Sequence, residues 1–457
     1  MNRLHLNKKI LQLALPNIVT NITVPLLGMV DTAIVGHLGQ GQLGAIAIGT
    51  SIFNLIYWNF GFLRMGTSGF TAQAYGARKM DEAVRVFVRA FILAIVIALT
   101  LLLLQYPIAL LARAIFNGSD SVIKLALSYF FVRIWAAPAT LGLYAIKGWF
   151  IGMQNSRLPM WMAIFINIVN IACSLLFVIV FGWDIRGVAL GTVIAQYSGL
   201  AVGLYFVVRR YGKLFRNAWG RPQHSGWRPF VRETLHWQEM RRFFSVNGDI
   251  FLRTVCLAAV FTFITSESGR ISDEILAVDT LLMQFFTLFS YIMDGFAYAG
   301  ESLVGRYIGA RNRGAVVGTV RRLLAWGLAL TLVFTVVYAL WGESFLRIFS
   351  DEESVIATAS SFMIWPLVVP VCGFAAFLFD GIFVGATASR TMRDVMFVAT
   401  TLFFVTYYAL RALLDATTAG TTVWNNVLWG AFMVYLAVRG LGQALMLRRA
   451  VYSKANN

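Results

Sequence analysis

The sequence of residues 15–36, LPNIVTNITVPLLGMVDTAIVG, is apolar and long enough to cross a lipid bilayer as one helix. It nevertheless contains a carboxylate, Asp31, and two prolines, Pro16 and Pro25. An aspartate at the centre of a membrane helix costs about 2.5–3.5 kcal/mol on insertion scales, so it faces protein or water and usually has a function. Proline removes a backbone hydrogen bond and bends a helix. We therefore predict a helix that moves at Pro16 and Pro25, as hinge residues, when Asp31 binds a cation.

The composition places the whole chain in a membrane. Of its 457 residues, 59% are hydrophobic and 13% are charged, and the mean hydropathy is +0.72. A soluble domain is nearer 45–50% apolar and about 25% charged. The net charge of +17 lies in the gaps between apolar blocks, which membrane topology explains better than nucleic-acid binding does. The blocks do not alternate as barrel strands would, so the predicted fold class is an all-α integral membrane protein.

Twelve apolar blocks predict twelve transmembrane helices. Lys and Arg concentrate in alternate gaps, as at Lys79 and Arg311, whereas the other gaps carry acids such as Asp184 and Asp351. The positive-inside rule then places both termini in the cytoplasm. The blocks lie near residues 11–36, 43–63, 86–106, 126–148, 159–181, 187–208, 244–265, 275–299, 320–341, 359–384, 395–414 and 424–446.

The two halves of the chain repeat each other. Gly-Ala-Arg at 76–78 recurs at 309–311, and 309 − 76 = 233; Phe-Ile-Gly at 150–152 returns as Phe-Val-Gly at 383–385 with the same offset. Six spans per half give both halves one orientation, the parallel-repeat arrangement of several transporters, with the substrate cavity expected between the halves. We predict an N-terminal six-helix lobe at 1–210, a basic cytoplasmic linker at 211–242 and a C-terminal six-helix lobe at 243–457.

The residues that catalysis or metal binding would require are scattered. The three cysteines lie within apolar blocks, and the four histidines are spread along the chain. The sequence has no HExxH, GxSxG or paired-aspartate motif and no GxxxxGK[ST] phosphate loop. We therefore predict no enzyme, no primary pump and no cofactor apart from a coupling ion.

The sequence VDTAIVGHLG at 30–39 resembles the first-helix signature of the multidrug and toxic compound extrusion (MATE) family. The two Gly-Ala-Arg loops are similar to that family's interhelical loops, and residues 247–253 and 293–301 resemble its bacterial DinF-like branch. The resemblance implies two six-helix bundles that form a V and expose a central cavity alternately to the two sides of the membrane. It also implies export of amphipathic or cationic compounds in exchange for H⁺ or Na⁺.

In that family a polar cluster in the first lobe holds the cation. Asp31 matches its carboxylate, Asn170 its amide, and Thr192 and Tyr129 match further members. Many members carry a second Asp one turn after the amide, where this chain has Ser174. A hard metal cation takes several oxygen ligands, so this departure weakens an Na⁺ site. A lone carboxylate in an apolar setting favours its protonated form, so the prediction leans to H⁺ and leaves Na⁺ open.

The second half lacks the counterpart of Asp31, because Asn17 aligns with Asn247 (247 − 17 = 230) and Phe261 then falls opposite Asp31. It has other acids within its apolar blocks. Asp279 and Asp294 are candidates for a second protonation site or a cationic-substrate site. Asp249 and Arg253 are one helical turn apart on the seventh span, which predicts an ion pair between them.

The cavity is expected to be lined by adaptable apolar side chains, since Met and aromatic rings suit varied and cationic substrates. The expected partners are lipid and small molecules, with no nucleic acid, and the protein is expected to be a monomer in the bacterial inner membrane. The alternative function is a flippase for lipid-linked precursors, because a large cavity between two lobes also suits such substrates. Candidate lining residues are Phe53, Tyr57, Met283 and Phe286.

Overall fold

The computed structural model describes residues 3–36, 40–116, 119–219, 227–414 and 420–456, and this part of the chain is almost entirely helical. The end of the first-helix signature, 37–39, lies outside the described residues. The α-helices are α1 (Arg3–Gly36), α2 (Gln40–Asn59), α3 (Phe62–Gly76), α4 (Met80–Leu103), α5 (Gln105–Ile115), α6 (Asp120–Arg133), α7 (Ala137–Gly152), α8 (Arg157–Leu175), α9 (Ile185–Trp219), α10 (Trp227–Thr234), α11 (Trp237–Ile271), α12 (Asp273–Gly309), α13 (Arg313–Phe349), α14 (Glu353–Ser361), α15 (Ile364–Gly385), α16 (Ser389–Leu413) and α17 (Thr421–Leu447).

Twelve helical segments of the described chain are long and apolar enough to cross a membrane, which confirms the predicted fold class. The second segment joins α2 to α3 and the fourth joins α6 to α7. Several segments extend past the apolar blocks. For example, α12 has 37 residues, whereas its block covers 275–299. The apolar block is shorter than α12 because the first and last turns of the helix are polar.

The chain forms two compact units. The N-terminal unit comprises Leu15–Asn247, and the C-terminal unit comprises Met1–Ala14 together with Gly248–Asn457. Within the N-terminal unit α3 packs on α7 and α8 on α9; within the C-terminal unit α12 packs on α15 and α16 on α17. Helices α1 and α11 each contribute residues to both units. The predicted lobes and linker stay a prediction, because residues 220–226 of that linker lie outside the described residues.

The described parts of the predicted linker are helical. Residues 211–219 continue α9, and α10 follows as a separate helix. Phe230 of α10 is buried in a hydrophobic cluster with Phe87 and Trp149, and Arg89 Nε of α4 donates to the Thr234 carbonyl at 2.8 Å. These contacts fix α10 to the N-terminal unit.

The sequence repeat is also visible in the backbone. Arg78 and Arg311, which are 233 positions apart, have φ of 58° and 53°. Gln154 and Thr387 share the same offset and have φ of 64° and 48°. Residues other than glycine rarely take this left-handed conformation, so four such residues at two matched positions show that both halves end their helices in the same way.

Close helix packing repeats at matched glycines. A Cβ on Gly148 would overlap the carbonyl oxygen of Arg64, and one on Gly381 would overlap that of Ala297. The offset is again 233 for both partners, since 381 − 148 = 233 and 297 − 64 = 233. These contacts join α3 to α7 in one unit and α12 to α15 in the other. Only glycine allows backbones to approach this closely.

The ion pair predicted between Asp249 and Arg253 is wrong. Asp249 instead accepts from Arg393 Nη1 at 2.6 Å and from Ser389 Oγ at 2.8 Å. Arg253 pairs with Asp380 of α15. Both residues are buried. A buried charge needs several hydrogen bonds, and side chains of neighbouring helices supply more of them here than one side chain of the same helix can.

Candidate functional site

Asp31 lies in α1 of the N-terminal unit and is 4% exposed. A hydrogen bond joins it to Ser174 of α8, whose Oγ donates to Asp31 Oδ1 at 3.4 Å. Gly191 of α9 faces Ser174, and a Cβ there would lie 2.7 Å from Ser174 Oγ. The hydroxyl beside the carboxylate is therefore held by close packing of α8 on α9.

Asn170 and Thr192 complete a polar layer in the same unit. Asn170 Nδ2 donates to Thr192 Oγ1 at 3.0 Å, and Thr192 Oγ1 donates to the Val188 carbonyl at 3.1 Å. Asn170 is fully buried, and its Oδ1 has no hydrogen-bond partner in the described chain. A buried amide oxygen without a partner costs about 1–3 kcal/mol, so this atom is an acceptor available to a proton donor or a cation.

Tyr129 of α6 is fully buried, and its hydroxyl accepts from Arg133 Nη1 at 2.5 Å. The Arg133 guanidinium also lies over the ring of Phe53, 4.7 Å from its centroid, and its charge acts on Asp31. Arg133 is not among the residues that the sequence pattern indicated. Its spacing of four residues from Tyr129 could have indicated it, because it places both side chains on one helix face.

The polar layer offers a cation few oxygen atoms. It contains one carboxylate, the hydroxyls of Ser174 and Thr192 and one amide oxygen without a partner, and the charge of Arg133 acts on the same carboxylate. Within the described residues no group of three or more His, Cys, Asp or Glu side chains could hold a metal ion. Asp31 can bind a proton without requiring further oxygen ligands.

The predicted hinge residues lie inside α1, which is one continuous helix through Pro16 and Pro25. Side chains supply hydrogen bonds to carbonyls of the segment between them. Asn167 Nδ2 of α8 donates to the Thr23 carbonyl at 2.7 Å, and Thr20 Oγ1 donates to the Pro16 carbonyl at 2.9 Å. The hinge role stays a prediction.

Asp279 of α12 lies in the C-terminal unit and is 3% exposed. Asn425 Nδ2 and Trp429 Nε1 of α17 donate to its Oδ1 at 3.0 Å and 2.8 Å, and Ser268 Oγ of α11 contacts its Oδ2. Asp294 is half-buried 15 residues further along α12, about 22 Å at 1.5 Å per residue. The structure therefore separates the two predicted candidates.

Asp294 acts electrostatically on Arg439, which belongs to a buried charge cluster of the C-terminal unit. Arg439 Nη2 donates to Asp380 Oδ2 at 2.7 Å, and Gln443 Nε2 donates to Oδ1 at 2.9 Å. Arg253 pairs with the same carboxylate. The two arginines thus share Asp380, and Asp294 supplies a second negative charge nearby.

The predicted lining residues occupy different environments. Phe53 is fully buried and stacks on Tyr57 with 5.6 Å between ring centroids. Phe286 packs against Phe261, Phe377 and Phe432, and Met283 is half-buried on the same helix. Their contact with a substrate stays a prediction.

Comparisons with known proteins agree with one another. The MatE family model matches residues 16–176 and 250–409. The chain is 36% identical over 444 residues to DNA damage-inducible protein F of Escherichia coli strain K12, covering 97% of this chain and 92% of that protein.

Solved structures with the same fold have lower sequence identity. The Vibrio cholerae MATE transporter VcmN in its bent form superposes with a TM-score of 0.82 at 19% identity, covering 99% of this chain and 98% of that one. An outward-facing multidrug resistance MATE family transporter of the MOP superfamily gives 0.81 at 17% identity, covering 98% and 96%. These two likenesses concern the fold alone.

Proposed function

Because the chain belongs to the multidrug and toxic compound extrusion (MATE) family, we propose that it is a secondary antiporter that exports amphipathic or cationic compounds in exchange for protons. The observation that carries this proposal is Asp31, a carboxylate buried in a membrane helix with a neutral hydroxyl as its hydrogen-bond donor. A buried carboxylate of this kind changes its interactions strongly when it gains or loses a proton.

Protons rather than Na⁺ are proposed as the coupling ion. Ser174 stands where many family members carry a second carboxylate, so the cluster offers few oxygen ligands to a metal ion. The positive charge of Arg133 also acts on Asp31 and disfavours a proton and a metal ion alike, so the choice between H⁺ and Na⁺ rests on the number of oxygen ligands. Protonation of Asp31 only neutralises the carboxylate and leaves Arg133 paired with the Tyr129 hydroxyl.

The proposed cycle uses α1 as the moving element. When Asp31 is charged, it attracts Arg133 and the polar layer of Asn170 and Thr192. When it is protonated, that attraction falls, and α1 can shift at Pro16 and Pro25, where backbone hydrogen bonds are already missing. The shift changes which side of the membrane the substrate can reach.

The energy available is sufficient for export. One charge that enters down 100 mV releases about 2.3 kcal/mol, which supports a gradient of roughly 50-fold for a neutral substrate. Exchange of a monovalent cation for one proton moves no net charge and draws on the pH gradient alone.

The test uses purified protein in liposomes that contain a fluorescent cationic dye. A pH gradient and then an Na⁺ gradient are imposed on the wild type and on Asp31→Asn. We expect dye movement under the pH gradient and none in Asp31→Asn, at unchanged folding by circular dichroism. Full activity of Asp31→Asn would contradict the mechanism.

Two other outcomes of the same experiment separate the alternatives. Movement driven by Na⁺ would mean that Asp31, Ser174 and the Asn170 oxygen suffice for a metal ion. No movement under either gradient would favour the flippase for lipid-linked precursors.

The proposed location is a bacterial inner membrane, with both termini in the cytoplasm and the protein acting as a monomer. The alternation of basic and acidic gaps along the sequence supports this orientation. The bacterial relative of similar length supports the location.

A further inference from the structure

The side chains that donate hydrogen bonds to Asp279 in the C-terminal unit are all uncharged. Its two carboxylate oxygens contact an amide, an indole and a hydroxyl, from Asn425, Trp429 and Ser268. Asp279 forms no salt bridge in the described chain, unlike Asp249 and Asp380. A buried carboxylate without a counter-charge is costly unless it can take up a proton.

The hydroxyl of Ser268 shows how such a proton is accommodated. Ser268 Oγ lies 2.9 Å from the Ile264 carbonyl oxygen and also contacts Asp279 Oδ2. A serine hydroxyl has one hydrogen and two lone pairs, so it cannot donate to both oxygens. If it donates to Ile264, the second contact is a hydrogen bond only when Asp279 carries the proton on Oδ2.

Both protonation states therefore satisfy the carboxyl group. In the charged state Ser268 donates to Oδ2, while Asn425 and Trp429 donate to Oδ1. When a proton binds, an O–H bond forms at Oδ2 and donates to Ser268 Oγ, and the serine hydrogen turns to the Ile264 carbonyl. No side chain has to leave its position, and the net charge of the group changes from −1 to 0.

A second observation also supports proton binding at Asp279. Asn425 is fully buried with Nδ2 on the carboxylate, and its Oδ1 has no hydrogen-bond partner in the described chain. Rotation of this amide by half a turn would direct the free oxygen to Asp279 Oδ1, where it could accept a proton carried on Oδ1 instead of Oδ2. The site thus holds an unused acceptor next to the carboxyl group.

The charged groups at this end of the C-terminal unit have other partners or are exposed. Glu267 of α11 accepts from Tyr407 and Arg411 of α16 and from Arg270 of its own helix.

On α12, Asp273 is exposed, and Glu274 accepts from Thr358 of α14 at 2.6 Å. Arg347 of α13 pairs with Glu343 and with Glu353 of α14. The α17 sequence from Thr421 to Val434 and the α15 sequence from Ile364 to Val371 contain no titratable side chain.

We propose that Asp279, with Ser268 and Asn425, is a second proton-binding site, so that one transport cycle carries two protons. Asp279 is six residues from the polar start of α12, about 9 Å along the helix. The stoichiometry rests on the proposed function, whereas proton binding by Asp279 does not. With two protons, exchange for a monovalent cation moves one net positive charge inward.

The first test measures proton binding directly. Infrared difference spectra between acid and alkaline pH are recorded for reconstituted wild type, Asp31→Asn, Asp279→Asn and the control Glu274→Gln. We expect two protonated-carboxyl bands in the wild type, with one absent in each of the two aspartate variants. Ser268→Ala should shift the pH midpoint of the Asp279 band by about one pH unit, and Ser268→Thr should restore it. An unchanged spectrum in Asp279→Asn would overturn the proposal.

The second test measures charge movement. Efflux of a monovalent cationic dye from liposomes is followed at equal pH on both sides, with an inside-negative potential set by a K⁺ gradient and valinomycin. We expect the potential to accelerate efflux severalfold in the wild type and in Glu274→Gln, and not in Asp279→Asn. Efflux independent of potential in the wild type would overturn the two-proton stoichiometry. Absence of transport altogether would contradict the proposed function, while the infrared spectra would still decide whether Asp279 binds a proton.

Discussion

At the scale of single residues, the proposed coupling to protons depends on what surrounds Asp31. Ser174 contributes a neutral hydroxyl at 3.4 Å, and Arg133 contributes a positive charge. The neutral side chain of Ser174 limits the number of hard oxygen ligands for a metal ion, whereas the charge of Arg133 opposes a proton and a metal ion alike. Changing Ser174 should therefore alter ion selectivity before it alters the fold.

Ser174→Asp should introduce Na⁺-driven transport, because a second carboxylate supplies the hard oxygen ligands that Na⁺ requires. The measurement is dye efflux under an Na⁺ gradient at equal pH, where we expect at least a severalfold rise over wild type. The control is Ser174→Ala, which removes the hydroxyl without adding charge and should stay insensitive to Na⁺. If Ser174→Asp also ignores Na⁺, ligand number does not decide the ion.

At the scale of elements, buried charges join three helices of the C-terminal unit. Asp380 of α15 binds Arg253 of α11 and Arg439 of α17. Removing one member leaves the others charged and unpaired in an apolar interior. Such a change costs far more than the net stability that the intact cluster provides.

Asp380→Asn should therefore destabilise the protein by about 3–5 kcal/mol, measured as a lower unfolding temperature in detergent. The control is Glu353→Gln, which breaks the exposed pair with Arg347 and should change stability little. Hydrogen bonds from Arg347 lower the pKa of Glu353, so any stability from that pair is lost only as pH falls through the lowered value. Equal effects of the two variants would show that Asp380 is not an essential counter-charge.

The glycine contacts between helices give a second prediction at this scale. Gly381→Ala should destabilise the protein by about 1–3 kcal/mol, because its methyl group would overlap the Ala297 carbonyl. Gly212→Ala in α9 is the control, since nothing lies within 4 Å of the place where its methyl group would stand and alanine favours a helix. Thermal unfolding of both variants checks the prediction. A neutral Gly381→Ala would mean that α12 and α15 can separate at no cost.

At the scale of the whole molecule, the alternation of charge along the sequence predicts which loops lie on each side of the membrane. In a background with Cys173, Cys256 and Cys372 replaced by serine, Asp351→Cys should react with an impermeant maleimide in intact cells. Lys79→Cys, equally exposed on a basic loop, should react only after the membrane is opened. The reverse pattern would invert the proposed orientation.

The sequence by itself determined the membrane class, the twelve spans, the repeat and the family, because hydropathy and a constant offset of 233 are properties of the linear chain. It also indicated Asp31 and Asp279, since a carboxylate in an apolar segment is conspicuous wherever it folds. What it could not determine was how the side chains are paired.

Only the tertiary structure brought Ser268 and Asn425 to Asp279, separated Asp249 from Arg253, and placed Arg133 where its charge acts on Asp31. These partners come from helices far apart in sequence. The physical reason is that a buried polar group must find its hydrogen bonds within the protein, and which neighbour supplies them depends on how helices pack rather than on spacing along the chain.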